Sequence, residues 1–362
     1  MKKVFTLSVL LSSSLLAIVP SHHMLLAQQA LTRQEQKEII EKIVVLLRDN
    51  YLFPEKAKEI GLDLQKKAND RKYEKLADPQ AFAKQLTSDL QAFSHDKHLT
   101  IEYDPQRVKE LKVAGSNPAN DAAMEIEKKR YERQRRDNFG FRKVEVLEGN
   151  VGYLDLRYFG NADYSADIAI GAMSFLANSD AIIIDLRDNY GGGAPMYLLL
   201  ISYFFNSDMI HLSDTINRLS NSTQQLRALP YVPGKRLPDV DLYILTSGRT
   251  FSAAEQFTYD LQCQKRATIV GRTTGGGAHM TTAFIINDDF YAFVPFAGAI
   301  NPITKTNWEG VGIIPDVEAP EARAFDAAYL MALKKIEKKT TDQDWKGKIL
   351  SLINRIEAKK DI

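Results

Sequence analysis

The chain has 362 residues, 47 Lys and Arg against 46 Asp and Glu, and a formal net charge of +1. Charges of both signs are interspersed, which excludes the basic face that a nucleic-acid partner requires. Cys263 is the only cysteine, so an intramolecular disulfide and a cysteine-rich zinc site are excluded together.

Met1-Lys2-Lys3 opens a basic stretch, and Val4 to Pro20 carries no charge. This is the pattern of an export signal, expected over residues 1–27 with cleavage after Ala27 or Ala30. The apolar run is interrupted by Ser12-Ser13-Ser14 and ends at Pro20, short of the roughly 20 apolar residues that span a bilayer. The segment is therefore expected to be removed rather than kept as an anchor, and no cysteine is at hand for a lipid.

Residues 28–103 read as a helical domain. Ile39, Ile40, Ile43, Val44 and Leu47 recur at helical spacing, and Asn50 to Pro54 breaks that helix because proline disfavours helical geometry in the residue before it. Ala57 to Ala68 and Pro79 to Phe93 predict two more helices, and Leu99 to Tyr103 alternates like a strand. Residues 104–140, dense in Glu, Lys and Arg from Ala122 to Asp137, read as a charged, solvated helical connector.

From 141 to 335 strands and helices alternate, the pattern of an α/β core. Strands are predicted at Lys143 to Leu147, Val151 to Leu156, Ala181 to Leu186, Leu242 to Thr246, Thr268 to Gly271 and Ala283 to Ile286. Helices are predicted at Ser165 to Ala177, Met196 to Phe205, Ala253 to Gln262 and Ala324 to Lys338. Ala181 to Leu186 is continuously apolar but for Asp185, as in a strand buried on both faces. Residues 336–362 read as a helical tail.

Three segments carry candidate chemistry. Asp185 to Gly193 ends in three glycines, whose backbone can turn tightly and aim amides at a ligand. No Gly-Lys-Ser/Thr follows, which argues against a phosphate loop. In Thr246 to Glu255 a strand ends and Ser252 stands where a helix begins. Ser252-x-x-Glu255 is a capping box, and the same geometry places a serine among free amides at a helix N-terminus. Gly271 to Gly277 adds a second glycine loop. Trp308 to Asp316 places Glu309 beside an aromatic and a glycine turn.

In order, Asp-Leu-Arg-x-Asn-x-Gly-Gly, Ser-Ala-x-Glu, Val-Gly-x-x-Thr-x-Gly and Gly-x-x-Pro-Asp resemble the tail-specific or C-terminal-processing serine protease superfamily. The resemblance runs from about Val151 to Val317. The helical part ending in Asp96-Lys97-His98-Leu99 resembles the branch containing interphotoreceptor retinoid-binding protein modules and many bacterial secreted peptidases. The resemblance implies a crotonase-like α/β core of repeated ββα units behind an N-terminal helical domain. It also implies that Ser252 is the nucleophile.

The better-known members activate that serine with a lysine in Phe-Gly-Lys-Gly. Gly277 occupies that position here, so the Ser-Lys dyad is absent. The branch that includes the tricorn core protease uses a histidine before the core and a late glutamate, matched by His98 and Glu309. A second serine beside the tricorn histidine is replaced by Lys97. By this resemblance His98 is general base, Glu309 orients it, and the amides of Ala253 and of Gly191 or Gly192 form the oxyanion hole. His279 is the reserve base, and His95 and His211 are the remaining histidines of the mature chain.

The implied activity is a peptidase acting on peptide or protein substrates outside the cytoplasm, with no metal or organic cofactor and no PDZ domain. Two alternatives stay open: a module that binds retinoid- or lipid-type apolar ligands on the same scaffold, and an esterase. The sequence carries no signal for the oligomeric state.

Overall fold

The structure, a computed structural model, describes residues 30–116 and 121–358. The export signal expected over residues 1–27 lies outside the described residues.

Three helices open the described chain: α1 (Arg33–Asn50), α2 (Pro54–Asn69) and α3 (Pro79–Ser94). A capping box starts α1, with Thr32 Oγ1 accepting from the Glu35 amide at 3.2 Å and the Glu35 carboxylate accepting from the Thr32 amide at 2.8 Å. Ile39, Ile40, Ile43 and Leu47 are buried as the spacing predicts, and Pro54 suits the first turn of α2 through its fixed φ. Asp78 caps α3, which stops at His95 in the left-handed conformation, φ 61°. The chain then enters β1 (Thr100–Tyr103). The charged connector forms α4 (Pro105–Ser116) and α5 (Asp121–Arg136).

The main sheet is built from β2 (Phe141–Leu147), β3 (Val151–Leu156) and β4 (Ala181–Asp185), with α6 (Ala162–Phe175) after β3 and α7 (Ala194–Ser202) after β4. β5 (His211–Asn217) and β6 (Ser222–Arg227) then leave it for a second sheet. The chain returns through β7 (Asp241–Thr246), α8 (Ala253–Cys263) and β8 (Thr268–Gly271). β9 (His279–Ile285) and β10 (Phe290–Ile300) join the second sheet, and β11 (Val317–Glu318), α9 (Glu321–Lys339) and α10 (Gln343–Ala358) close the described chain.

The main sheet has the order β11-β8-β7-β4-β3-β2, parallel throughout except for the β2–β3 pair. Its central strands divide their side chains between two cores. Ile182, Ile184 and Ile244 pack with α6, α7 and α8, while Ile183, Tyr243 and Leu245 pack with α9 and α10. Burial on both faces explains the apolar run Ala181 to Ile184 in β4. The protein is thus a mixed α/β fold with a helical N-terminal region.

The second sheet, β1-β10-β5-β6 with β9 on β10, is antiparallel. The sequence pattern predicts neither β5, β6 nor β10, and starts β9 at Ala283 rather than His279. β6 is almost wholly exposed, so it lacks the alternation that marks a half-buried strand. β10 carries Pro295 at a register shift, and proline argues against strand. This sheet positions the chemistry, because β10 pairs with β1 at Thr100 to Tyr103 and with β9 back to His279. It thereby brings the Asp96–His98 turn beside His279.

Candidate active site

Ser252 stands between β7 and α8 with φ 54° and ψ −121°. A positive φ is costly for a residue with a Cβ, on the order of 1–3 kcal/mol, and persists only where the surroundings over-determine it. Here they do. Before the serine, Ser247 Oγ donates to Arg187 O at 2.5 Å, Thr250 Oγ1 to Leu186 O at 2.7 Å, and the Phe251 amide to Asn189 O at 3.0 Å. These bonds tie the turn to the segment that follows β4. After the serine, the carboxylate of fully buried Glu255 accepts from the Ser252 amide at 2.9 Å. Glu255 also accepts from Thr274 Oγ1 at 2.5 Å and from the amides of Gly276 and Gly277 at 2.7 and 2.8 Å. One carboxylate therefore holds the serine turn and the second glycine loop together.

The first glycine segment presses against the same turn. A Cβ on Gly191, φ 106°, would lie 2.8 Å from Ser252 Cβ and 3.0 Å from Ala253 N. The Gly191 amide donates to Asn189 Oδ1 at 2.9 Å and that of Gly193 to Phe159 O at 2.8 Å. Among the described residues the amides of Gly192 and Ala253 donate to no protein acceptor. Both residues line a cavity of about 90 Å³ with Ser252, Gly277 and His279. The carboxylates of the first segment are engaged elsewhere: Asp185 with Arg187 and Tyr153, Asp188 with Arg157 and Arg249.

Behind the second glycine loop lies a buried cluster of two carboxylates and two imidazoles. His279 Nδ1 faces Asp96 Oδ2 at 2.7 Å and Glu309 Oε2 at 3.6 Å. Tyr51 donates its hydroxyl to Asp96 at 3.0 Å, and Asp96 Oδ1 accepts the His98 amide at 3.0 Å. Glu309 Oε2 also accepts from the Ala278 amide at 2.6 Å, whereas Glu309 Oε1 is buried without a partner. A side-chain nitrogen of His98 and oxygens of Asp96 and Glu309 lie within 4.8 Å of one another. Glu309 thus lies against His279 and makes no hydrogen bond to His98, the histidine that the resemblance has it orient.

His98 differs from His279. Both of its ring nitrogens are buried without a hydrogen bond, and its ring lies on Phe251 with centroids 4.5 Å apart. Burial pulls its pKa down to about 4, against the pull of Asp96 and with the help of His279. His279 is also lowered by burial, but the hydrogen bond and charge of Asp96, with Glu309, outweigh this and raise it above its ordinary value. Asp96 is raised by burial and lowered more by His279, ending below the usual carboxylate range. Burial lifts Glu309 to about 7, against His279 and with Asp96.

Gly277, at the position of the absent lysine, has no room for a side chain. A Cβ there would lie 2.3 Å from Phe251 Cζ and 2.5 Å from His98 Cε1. The packed rings of Phe251 and His98 fill the space. Trp308 Nε1 donates to Gly277 O at 2.8 Å, and Lys97 Nζ to Gly275 O at 2.5 Å, which fixes the loop from two further sides.

The other histidines stand apart. His95 is exposed at the end of α3, and His211 pairs with Asp214 at 2.8 Å. Sequence reasoning names Ser252, His98, Glu309 and His279, and its capping box expects Glu255 to reach back to the Ser252 amide, as it does, but it assigns nothing to Asp96 or Tyr51 or to the bonds of Glu255 with Thr274, Gly276 and Gly277. For Asp96 the only signal is its place two residues before His98. Tyr51 carries none.

Residues 150–319 match the model of peptidase family S41, and residues 26–148 match the N-terminal domain of peptidase S41 in eukaryotic IRBP. The chain is 27% identical over 175 residues to a carboxy-terminal-processing protease of Bartonella bacilliformis, across 47% of this chain and 39% of that one. It is 26% identical over 176 residues to the chloroplastic carboxyl-terminal-processing peptidase 2 of Arabidopsis thaliana, across 48% of this chain and 32% of that one. The matches thus span well under half of these relatives' length. Among solved structures, a putative peptidase from Parabacteroides merdae shares the fold with TM-score 0.56 and 16% identity, over 82% of this chain and 96% of that one. The photosystem II D1 C-terminal processing protease does so with TM-score 0.50 and 16% identity, over 80% and 94%.

Proposed function

Because this chain belongs to peptidase family S41, a family of serine-type hydrolases, we propose that it hydrolyses peptide bonds in peptide or protein substrates with Ser252 as nucleophile. The observation that carries the proposal is the strained Ser252 turn, braced from both sides and flanked by the unengaged amides of Gly192 and Ala253. Strain of this kind collects where a nucleophile must be held out of the usual helical path.

In this reading Ser252 Oγ attacks the scissile carbonyl carbon while His98 takes its proton. His98 is neutral at neutral pH with both nitrogens free of protein partners, so a ring nitrogen is available to take the proton, while burial makes it a weaker base than an ordinary imidazole. The oxyanion rests between the amides of Gly192 and Ala253; the Gly191 amide, expected as an alternative, already serves Asn189. His98 then gives its proton to the leaving amine. Water, activated by the same imidazole, hydrolyses the acyl-enzyme ester. Glu309 and Asp96 stabilise the imidazolium while it exists.

A second reading takes His279 as base, since it shares the Ser252 cavity and Asp96 holds its Nδ1 as an orienting acid holds a triad histidine. The proposal further takes β2–β3–α6 as one ββα unit of a crotonase-like core, and places the enzyme outside the cytoplasm on the export pattern of residues 1–27. Among the described residues no helix is long and apolar enough to cross a membrane.

The test is covalent labelling by a serine-directed fluorophosphonate, joined to a search for peptides released by the wild type but not by Ser252→Ala. Labelling of the wild type alone, with loss of turnover by at least about 10³-fold in a folded variant, is expected. Equal labelling or undiminished turnover in Ser252→Ala removes the assignment.

A further inference from the structure

Asp96, His98 and Glu309 come from two distant stretches of chain, the turn between α3 and β1 and the loop between β10 and β11. A side-chain nitrogen of His98 and one carboxylate oxygen from each acid all lie within 4.8 Å of one another. Yet the imidazole shares no hydrogen bond with either acid. Neither ring nitrogen of His98 has a partner, and neither has Glu309 Oε1. A buried polar atom left unsatisfied is unfavourable, and three such atoms belong to this one cluster.

These are the donor types that bind a transition metal. An imidazole nitrogen and carboxylate oxygens are ordinary zinc ligands, at about 2.0–2.2 Å from the ion. Two donors of one ion then lie no more than about 4.4 Å apart. Separations of up to 4.8 Å therefore close with a few tenths of an ångström of movement, and Glu309 Oε1 is unheld. Three protein ligands leave the fourth position of a tetrahedral ion to water.

The surroundings suit a ligand set. Carboxylates that bind a metal are themselves oriented by hydrogen bonds. Asp96 accepts from the Tyr51 hydroxyl and the His98 amide, both at 3.0 Å, and faces His279 Nδ1 at 2.7 Å. Glu309 accepts from the Ala278 amide at 2.6 Å. A carboxylate has about four lone-pair sites, so each acid keeps one for an ion. Charge points the same way: among the described residues both acids pair with His279 and with no lysine or arginine.

A neutral imidazole carries a single nitrogen lone pair. An ion that takes it from His98 leaves none for the proton of Ser252. Building on the peptidase reading, we propose that Asp96, His98 and Glu309 form a zinc site, and that zinc held there reversibly switches hydrolysis off. The ion acts as an inhibitor and takes no part in the reaction.

The experiment reads binding first and reactivity second. Full-length protein, stripped with a chelator and dialysed, is titrated with zinc chloride by calorimetry at neutral pH in a non-coordinating buffer. His98→Gln and Glu309→Gln should each weaken binding by about 100-fold, since loss of an outer hydrogen-bond partner alone costs about 10–100-fold. Tyr51→Phe keeps all three ligands and should weaken it by about tenfold. His95→Gln and His211→Gln, outside the cluster, should bind as the wild type does. Cobalt(II) in place of zinc should give visible absorption bands that vanish in His98→Gln. No binding, affinity unchanged in both ligand variants, or magnesium bound as tightly as zinc overturns the site.

Saturating zinc should slow fluorophosphonate labelling of the wild type by about tenfold or more, because serine is a poor nucleophile without its base, and a chelator should restore it. Zinc bound in the cluster with labelling unchanged overturns the inhibitory role. Failure of the peptidase reading shows separately, as absent labelling of the metal-free protein while zinc binding and its loss in the variants persist.

Discussion

The imidazole of His279 and the carboxylate of Asp96, 183 residues apart in sequence, meet at 2.7 Å with both side chains almost fully buried. Because β10 pairs with both β1 and β9, the same contact joins the N-terminal helical region to the main body of the protein.

This pair should contribute to how stability depends on pH. A raised His279 adds stability that is complete below the ordinary imidazole value of about 6.5 and lost as pH rises through the raised value. A lowered Asp96 adds stability that is complete above its ordinary value of about 3.9 and lost as pH falls through the lowered one. Breaking a buried pair by removing one partner costs about 3–5 kcal/mol. Urea unfolding of wild type and Asp96→Asn should therefore differ most between about pH 4 and 6.5. A difference that is the same at pH 5.5 and pH 9 contradicts this account.

The two candidate bases predict opposite acid limbs. With His98 as base, the main acid limb of kcat/KM for the free enzyme lies near pH 4, below a smaller step near pH 7 where Glu309 protonates. With His279 as base, kcat/KM falls already above the ordinary imidazole value. His98→Gln should then lower turnover by about 10³-fold or more, the scale of losing a triad member, and His279→Gln by less. The reverse order, with the acid limb at higher pH, assigns the proton transfer to His279.

Glu309 should matter only where it is ionised. Its value of about 7 makes the carboxyl neutral below that pH, and glutamine mimics the neutral form. Rates of wild type and Glu309→Gln should converge at pH 5.5 and diverge above pH 7, with the variant slower and the loss smaller than for His98→Gln. An equal ratio at every pH from 5 to 9 makes the charge of Glu309 irrelevant to the rate.

Gly277→Ala should be both less stable and less active. The new methyl meets Phe251 and His98 well inside contact distance, and overpacking of this order costs about 1–3 kcal/mol. Phe251→Ala in the same chain should restore part of the stability by opening space. Wild-type stability and rate in Gly277→Ala alone would show that the loop gives way freely.

Local pattern made much of this protein legible. Ile39 to Leu47 and Ala181 to Leu186 state their helix and strand directly, because one repeats with the helical turn and the other must be apolar on both faces. Ser252 is legible because a serine three residues before a glutamate at a strand-to-helix change occupies a recognisable local geometry. Exposed β6 and proline-bearing β10 are not legible, since their partners rather than their own periodicity make them strands.

What only the tertiary structure decided is which groups share a space. No local rule places Asp96 against His279, packs His98 on Phe251, or turns the Glu255 carboxylate toward the Gly276 and Gly277 amides. Those contacts depend on the pairing of β10 with two distant segments, which is long-range and leaves no mark on the spacing of neighbouring residues. The shifted protonation of His98 and Glu309 follows from that burial. Sequence names the titratable groups; the fold sets what each is worth as an acid or a base.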